Sequence, residues 1–374
     1  MNWWMLPGPR RFIDAIIDGV REGKSVFLLL PENIPGAFPY TLKEALREES
    51  NWESVNVTSG MSPVDFLYMH LVPNADPRKL RSELSLAGEQ EFQRKLIWIE
   101  SIPAEEWSAW SAFFLEYERV SRAIPESRRS LFLIRIVDPG IDSAPPKAVG
   151  LSSLRWDGWL RRNDMQLYSS SCVRESKSGL ETDLTTALVA ELGGWDPLLC
   201  EYLADFELSD LIQPGPLLER FAAERDLIFQ PAPVDETSWG KGLWQTYLRK
   251  QTPHTSYGVF LFGQRFLNRL LWKAELGILI PYIEEQRQSL IETYRSNFRL
   301  PYYSKYGVIN DVYDLEIGVL ELLLNQSGVS SRATLEFVNN LKLARNQLSH
   351  LAPVDSSILL ALCRNAEENE CAGA

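Results

Sequence analysis

The chain has 374 residues, more than one compact core usually holds, so two or three domains are expected. Apolar residues make up 45% and charged residues 24%, the composition of a folded protein, and fifty acids against thirty-eight Lys and Arg leave a formal charge of -12. That balance excludes broad, sequence-blind adhesion to nucleic acid or to an anionic membrane, so any phosphate chemistry must be local.

The segment Arg11 to Arg21 places Phe12, Ile13, Ile16, Ile17 and Val20 on one helical face, and Gly23 stops it. Val26 to Leu30 is a continuous apolar run ended by Pro31, as in a strand buried on both sides. Thr41 to Glu49 reads as helix, Val55 to Val57 and Leu96 to Ile99 as strands, Ala104 to Ile124 as a long amphipathic helix and Leu131 to Val137 as another buried strand. Strands alternating with helices predict an α/β domain with a parallel sheet over residues 1–150.

Asp138, Pro139 and Gly140, then Ala144, Pro145 and Pro146, form a loop-rich seam, which places the first boundary between about residues 138 and 155. Beyond it the pattern is helical: Leu180 to Leu192 closed by Gly193 and Gly194, then Leu198 to Phe206, Leu217 to Arg225 and Leu243 to Lys250. Residues 151–257 read as a helical lid or adaptor without a catalytic constellation. In residues 258–374, Arg265 to Arg295 is strongly helical with Pro281 as a kink or break. Asp314 to Asn325, Ser331 to Gln347 and a helix capped by Asp355 complete a bundle without strands.

Four cysteines, Cys172, Cys200, Cys363 and Cys371, are scattered without Cys-x2-Cys spacing, which argues for reduced, buried thiols rather than a zinc ribbon or a disulfide framework. His70 lies on an apolar stretch with Phe66 and Leu67 and reads as a satisfied, partly buried histidine; His254 lies in a polar loop without evident partners. Neither has a carboxylate at helical spacing, so neither a metal site nor a cofactor is expected. Met1 to Pro9 lacks the basic start, apolar run and cleavage site of a secretory signal, and no run approaches the ~20 apolar residues of a membrane span. A cytoplasmic chain without membrane contact is the expectation. Most of the twelve tryptophans are expected to anchor cores or a protein interface, and some to offer a stacking surface for single-stranded RNA.

Gly23, Lys24 and Ser25 imitate a phosphate loop, but only three residues separate Gly19 from Gly23, and the string follows a helix and precedes a strand. It reads as a turn. The correct place follows the buried strand, where Pro31 stands four residues before Gly36, Ala37 and Phe38. At those positions the first glycine has become proline, the lysine Ala37 and the metal-holding hydroxyl Phe38, so the phosphate grip is gone. Leu96 to Ile99, ending at Glu100, stands where a Walker B strand would. Residues 1–150 therefore resemble a degenerate P-loop NTPase of the AAA+ or STAND kind; the alternative is an unrelated doubly wound α/β domain. The resemblance implies an NTPase-derived scaffold or sensor without nucleotide turnover. Nucleotide chemistry through Lys24 and Ser25 is a third alternative, which ATP binding lost in Lys24→Ala would revive.

Leu341 to Val354 contains Arg345, Asn346 and His350 in an Arg-Asn-x3-His arrangement. This resembles the signature of the HEPN superfamily, whose helical bundles carry an arginine, a polar residue and, a few positions on, a histidine. Many members are metal-independent ribonucleases that pair as dimers, bringing two copies of the motif into one cleft, and others keep the fold without the activity. Cleavage of RNA by its own 2′-hydroxyl needs a base, a cation for the phosphate oxygens and an acid for the leaving oxygen. His350 suits acid or base work, Arg345 the phosphate, and Asn346 the orientation of the imidazole or a hydrogen bond to phosphate. Positions five apart on a helix diverge by roughly 140°, so an unwound turn before Pro353 or a second chain is needed for convergence. The bland alternative is that Arg345 and His350 cap carbonyls at a helix end.

The resemblances together imply a component of a prokaryotic defence or toxin-type conflict system, with a HEPN-like endoribonuclease held by an inactive NTPase-like scaffold. Expected partners are RNA, proteins of a defence complex and a second copy of the chain. The alternative is a non-catalytic assembly or adaptor subunit.

Overall fold

The computed structural model describes residues 2–47, 51–58, 60–76, 78, 80–136, 144–176, 178–225, 227, 229–304, 307–328 and 331–373. Glu49, Val137 and the seam residues Asp138, Pro139 and Gly140 lie outside them, as does the side chain of Cys371. In chain order the elements are α1 (Pro7–Arg21), β1 (Ser25–Leu29), α2 (Phe38–Ala45), β2 (Asn51–Val55), α3 (Pro63–Leu71), α4 (Glu83–Gly88), β3 (Lys95–Ile99), α5 (Trp107–Ser121), β4 (Leu131–Ile136) and β5 (Leu151–Arg155). There follow α6 (Arg162–Cys172), α7 (Gly179–Gly193), α8 (Pro197–Leu203), α9 (Leu208–Leu211), α10 (Gly215–Glu224), α11 (Glu236–Gly240), β6 (Trp244–Tyr247), β7 (Lys250–Pro253) and α12 (Thr255–Phe262). The chain continues with α13 (Gln264–Tyr294), β8 (Tyr302–Ser304), β9 (Gly307–Ile309), α14 (Ile317–Ser327), α15 (Arg332–Ser349) and α16 (Ser356–Gly373). Two compact units emerge: residues 2–164 with 231–254, and residues 165–230 with 255–374.

The first unit is α/β, as the alternation of elements implies. Five strands lie in the order β2-β3-β4-β1-β5, every neighbouring pair parallel. This sheet is compatible with an α/β NTPase-like fold. The fifth strand falls inside the range of about 138 to 155 in which the sequence placed the first boundary, and Ser25 to Leu29 register against Leu151 to Arg155. β1 has a strand on either side, and its side chains are buried on both faces of the sheet: Phe27 joins a cluster with Ile97, Phe132, Phe114 and Trp110, while Val26 and Leu28 point to the opposite side.

Pro7 starts α1 with the φ that a first helical turn requires. The next residue, Gly8, donates its N–H to Asp164 Oδ1 at 2.9 Å, and Arg161 N–H donates to Asp164 Oδ2 at 2.7 Å. A Cβ at Gly8 would lie 2.5 Å from that carboxylate and 2.7 Å from the Trp159 carbonyl, so only glycine fits the approach. Asp164 is 1% exposed and thus joins the start of α1 to the chain that follows β5.

Leu243 to Lys250, expected to be helical, is a hairpin instead. Tyr247 pairs with Lys250 around Leu248 and Arg249, both at positive φ, as a type I′ turn requires. Tertiary hydrogen bonds override the helical pattern: Thr246 N–H and Oγ1 donate to the Asp157 carboxylate, and buried Gln245 donates to the Trp156 carbonyl at 3.2 Å.

The second unit is mostly helical. Helix α13 is not broken at Pro281, contrary to one expectation. The antiparallel pair β8 and β9, registering Tyr302 with Ile309, interrupts a part expected to contain no strand. At the junction of α7 and α8, a Cβ on Gly193 would meet Cys200 Sγ at 2.1 Å, so Gly193 is what lets the buried thiol sit there. Cys172, Cys200 and Cys363 are free thiols, and burial pushes the Cys363 thiol up to about 12. Trp4, Trp98, Trp107, Trp110, Trp156, Trp195 and Trp239 are buried, which makes them core residues. Among the described residues no helix is long and apolar enough to cross a membrane.

Replacing Asp164 by Ala leaves two backbone N–H groups of the first unit without their carboxylate. Urea unfolding followed by tryptophan fluorescence is expected to show a loss of about 2 kcal/mol. An unchanged midpoint would contradict the joining role assigned to this carboxylate.

Candidate functional site

The carboxyl-end rim of the parallel sheet is where ligands bind in open α/β folds. Here β1 leads through residues 30–37 into α2, the order a phosphate loop requires. The residues along this path fill the space instead of lining it. Phe38 is 1% exposed, with its ring centroid 4.8 Å from Trp4, 6.0 Å from Phe12 and 6.1 Å from Trp98. Ala37 caps α2 without a side-chain hydrogen bond, and Pro31 and Gly36 supply no charge. Glu100, at the end of β3, pairs with Arg135 of β4 and accepts from Trp98 Nε1 at 2.9 Å. It is tied to neighbouring strands. Lys24 pairs with Glu22 at 2.6 Å, and Ser25 is buried with its hydroxyl accepting the Phe132 N–H at 3.0 Å. Gly23, Lys24 and Ser25 thus form the turn into β1, with Gly23 at φ 72°.

Arg345 and Asn346 lie in the last turns of α15, which is helical through Ser349; His350 caps it. The divergence of roughly 140° between positions 345 and 350 therefore persists. One chain does not unwind to relieve it. The helix closes with a Schellman motif: Leu351 N–H donates to the Leu348 carbonyl and Ala352 N–H to the Gln347 carbonyl, both at 3.1 Å. The left-handed position of that motif, normally glycine, is taken by Leu351 at φ 60°, with its side chain 68% exposed. Trp272 Nε1 of α13 donates to the Leu348 carbonyl at 2.8 Å. The carbonyl capping that could have been assigned to the Arg345 and His350 side chains is thus done by backbone N–H groups, that of His350 among them, and by Trp272. Among the described residues the His350 ring makes no hydrogen bond or ion pair, and it is exposed.

The turn after His350 is tied down. Gln347 and Asp355 exchange hydrogen bonds, Gln347 Nε2 to Asp355 Oδ2 at 2.6 Å and Asp355 N–H to Gln347 Oε1 at 3.0 Å. Val354 N–H donates to Glu275 Oε2 of α13 at 2.6 Å. Glu275 is 1% exposed and among the described residues makes no ion pair, so burial pushes its carboxyl up from 4.5 to about 7 against the opposing pull of the Val354 hydrogen bond.

Arg345 and Asn346 line a cavity of about 670 Å³ together with Tyr302 and Tyr303 of β8, the start of α14 and Lys342. His350 is not part of its wall. Arg345 lies 3.4 Å from Glu316, a partly exposed pair, and Lys342 lies 2.6 Å from Glu321. The structure therefore brings two of the three predicted residues together and leaves the third on a separate, solvent-facing end. Lys342 was within reach of sequence reasoning, since it stands three residues before Arg345 on the same helix face. The tyrosines were not, because their place depends on a hairpin that the sequence pattern hides.

The remaining histidines differ from expectation. His70 is exposed, with Nδ1 at 2.8 Å from the Phe66 carbonyl and its ring 4.1 Å from the Phe66 ring. His254 is 2% exposed and has partners, so its loop is interior. Among the described residues no group of three or more His, Cys, Asp or Glu is arranged to hold a metal ion.

Neither protein-family models nor curated proteins match this chain.

A carboxyl raised in the folded state stabilises the fold fully below its unfolded value, and that contribution is lost as pH rises through the folded value. For Glu275 the window runs from 4.5 to about 7. Across it, the wild-type chain should lose about 3 kcal/mol relative to Glu275→Gln, whose amide oxygen still accepts from Val354. Parallel pH profiles for the two proteins would contradict the burial of this carboxyl.

Proposed function

We propose that this chain is a sensor and effector in one: an NTPase-derived scaffold that does not turn over nucleotide, joined to a HEPN-like unit that cleaves RNA without metal. Its setting is a prokaryotic defence or toxin-type conflict system. The observation that carries the reading is the state of His350, an exposed imidazole without partners among the described residues, at the end of a helix that Trp272 and the Schellman turn already close. A histidine without a structural duty, one turn beyond an arginine and an asparagine on a cavity wall, is available for chemistry.

In the proposed reaction, one imidazole takes the proton of the ribose 2′-hydroxyl, the 2′-oxygen attacks phosphorus, and the bond to the 5′-oxygen breaks. Arg345 holds the phosphate oxygens through its planar fork of donors, and the same imidazole, protonated by that transfer, gives the proton to the leaving 5′-oxygen. The products are a 2′,3′-cyclic phosphate and a 5′-hydroxyl. Since Arg345 and His350 diverge on α15, the working site is composed from two copies, with His350 of one chain meeting Arg345 and Asn346 of the other.

A second reading, a non-catalytic assembly subunit of a larger complex, is favoured by the aromatic filling around Phe38 and by the same divergence on α15. One experiment separates the two. Structured RNA incubated with purified protein and a chelator should be cut to ends carrying 2′,3′-cyclic phosphate, and His350→Ala should be at least about 100-fold slower. Equal cutting by both proteins, or none by either, removes the nuclease reading and leaves the assembly subunit.

A further inference from the structure

The amino-terminal rim of the parallel sheet, opposite the one filled by Phe38, carries a cavity of about 880 Å³. It opens where β2, β3 and β4 begin, at Asn51, Lys95 and Leu131. Among the described residues five cations line it, Arg21, Arg47, Arg94, Lys95 and Arg129, against one carboxylate, Glu126. In a chain whose formal charge is -12, such a concentration of positive charge is a local exception. We infer that this cavity binds a phosphate-bearing anion.

The arrangement of the arginines supports the inference beyond their number. Arg129 donates Nε to the Ile124 carbonyl at 2.9 Å and an Nη to the Arg122 carbonyl at 3.3 Å, which orients its guanidinium without neutralising it. Arg94 is exposed and makes no ion pair among the described residues. Its backbone is left-handed, φ 63°, in a turn pinned to the start of β4 by Arg94 N–H to the Arg128 carbonyl at 3.2 Å and Lys95 N–H to Ser130 Oγ at 3.0 Å. A residue with a Cβ is strained by about 1 kcal/mol there, and glycine would be relaxed. An unpaired arginine thus occupies a position that its own backbone disfavours, at the mouth of a cation-lined cavity.

Lys95 and Arg47 have acidic neighbours, Glu53 at 2.7 Å and Glu44 at 3.9 Å, the latter an exposed pair that holds little energy. The guanidinium groups of Arg94 and Arg129, lining one cavity, raise its potential, and an anion with several oxygens relieves that repulsion through their planar donor forks. Val20, Leu96 and Leu131 add apolar wall, which suits a phosphate ester with an organic part. The volume falls in the range of small-ligand pockets. Phosphate chemistry of this kind comes either from a free nucleotide or from the backbone of an oligonucleotide.

Arg94→Gly tests the site without threatening the fold, because it removes the charge and relaxes the backbone together. Arg249→Gly, at another left-handed position in the same unit, φ 64°, removes one charge away from the cavity and serves as the control. Calorimetric titrations use tripolyphosphate, ATP and a short single-stranded DNA, which lacks the 2′-hydroxyl and stays intact whatever the helical unit does. Saturable binding of at least one probe is expected at ~0.1 M salt. It should be weakened about tenfold in Arg94→Gly and unchanged in Arg249→Gly. ATP or DNA as the tighter probe then identifies the source of the phosphate. No saturable binding by any probe, equal binding by wild type and Arg94→Gly, or equal loss in both variants would overturn the inference.

Discussion

A strand paired in parallel on both sides has no edge toward water and no face without a cover. β1 is such a strand, between β4 and β5, and the rest of the first unit follows from it. Parallel neighbours require crossover connections, and these helices bury both faces. Loops are left at the two rims of the sheet. On one rim the chain has filled the space with Trp4, Phe12, Phe38 and Trp98, and the acid at the end of β3 is bound to Arg135. On the other rim five cations face a cavity. After β1, large aromatic side chains therefore occupy the rim at which open α/β folds bind their ligands.

In the helical unit the corresponding constraint is the closure of α15. Its last carbonyls are satisfied by the Schellman turn and by Trp272, and the following turn is tied through Gln347, Asp355 and Glu275. The consequence is an end held in place from several directions that presents His350 to solvent without using it. Glu275 is the expensive member of this arrangement, since burial raises its carboxyl from 4.5 to about 7.

Much of the fold was legible in the sequence. Continuous apolar runs marked β1, β3 and β4, and the α1 stripe named the residues that are buried there. Hidden elements had reasons. β5 reads Leu-Ser-Ser-Leu-Arg, a weak apolar pattern that becomes a strand because β1 offers it a partner. The hairpin of β6 and β7 has Leu248 and Arg249 where Asn and Gly would have announced the turn, and its placement rests on Asp157 and Trp156, far away in the chain. At the candidate site the sequence named Arg345, Asn346 and His350 and the angle between them. It could not name Tyr302 and Tyr303, whose approach is tertiary, although Glu275 stood on the buried stripe with Leu271 and Leu279.

The proposed function places His350 of one chain against Arg345 and Asn346 of another. Mixing Arg345→Ala protein with His350→Ala protein tests it most directly. In a twofold dimer each mixed pair retains one intact combination of His350 from one chain and Arg345 from the other, so random mixing should restore about a quarter of the wild-type cleavage rate. If both variants are inactive alone and the mixture stays inactive although the chains exchange, the groups do not work across two chains.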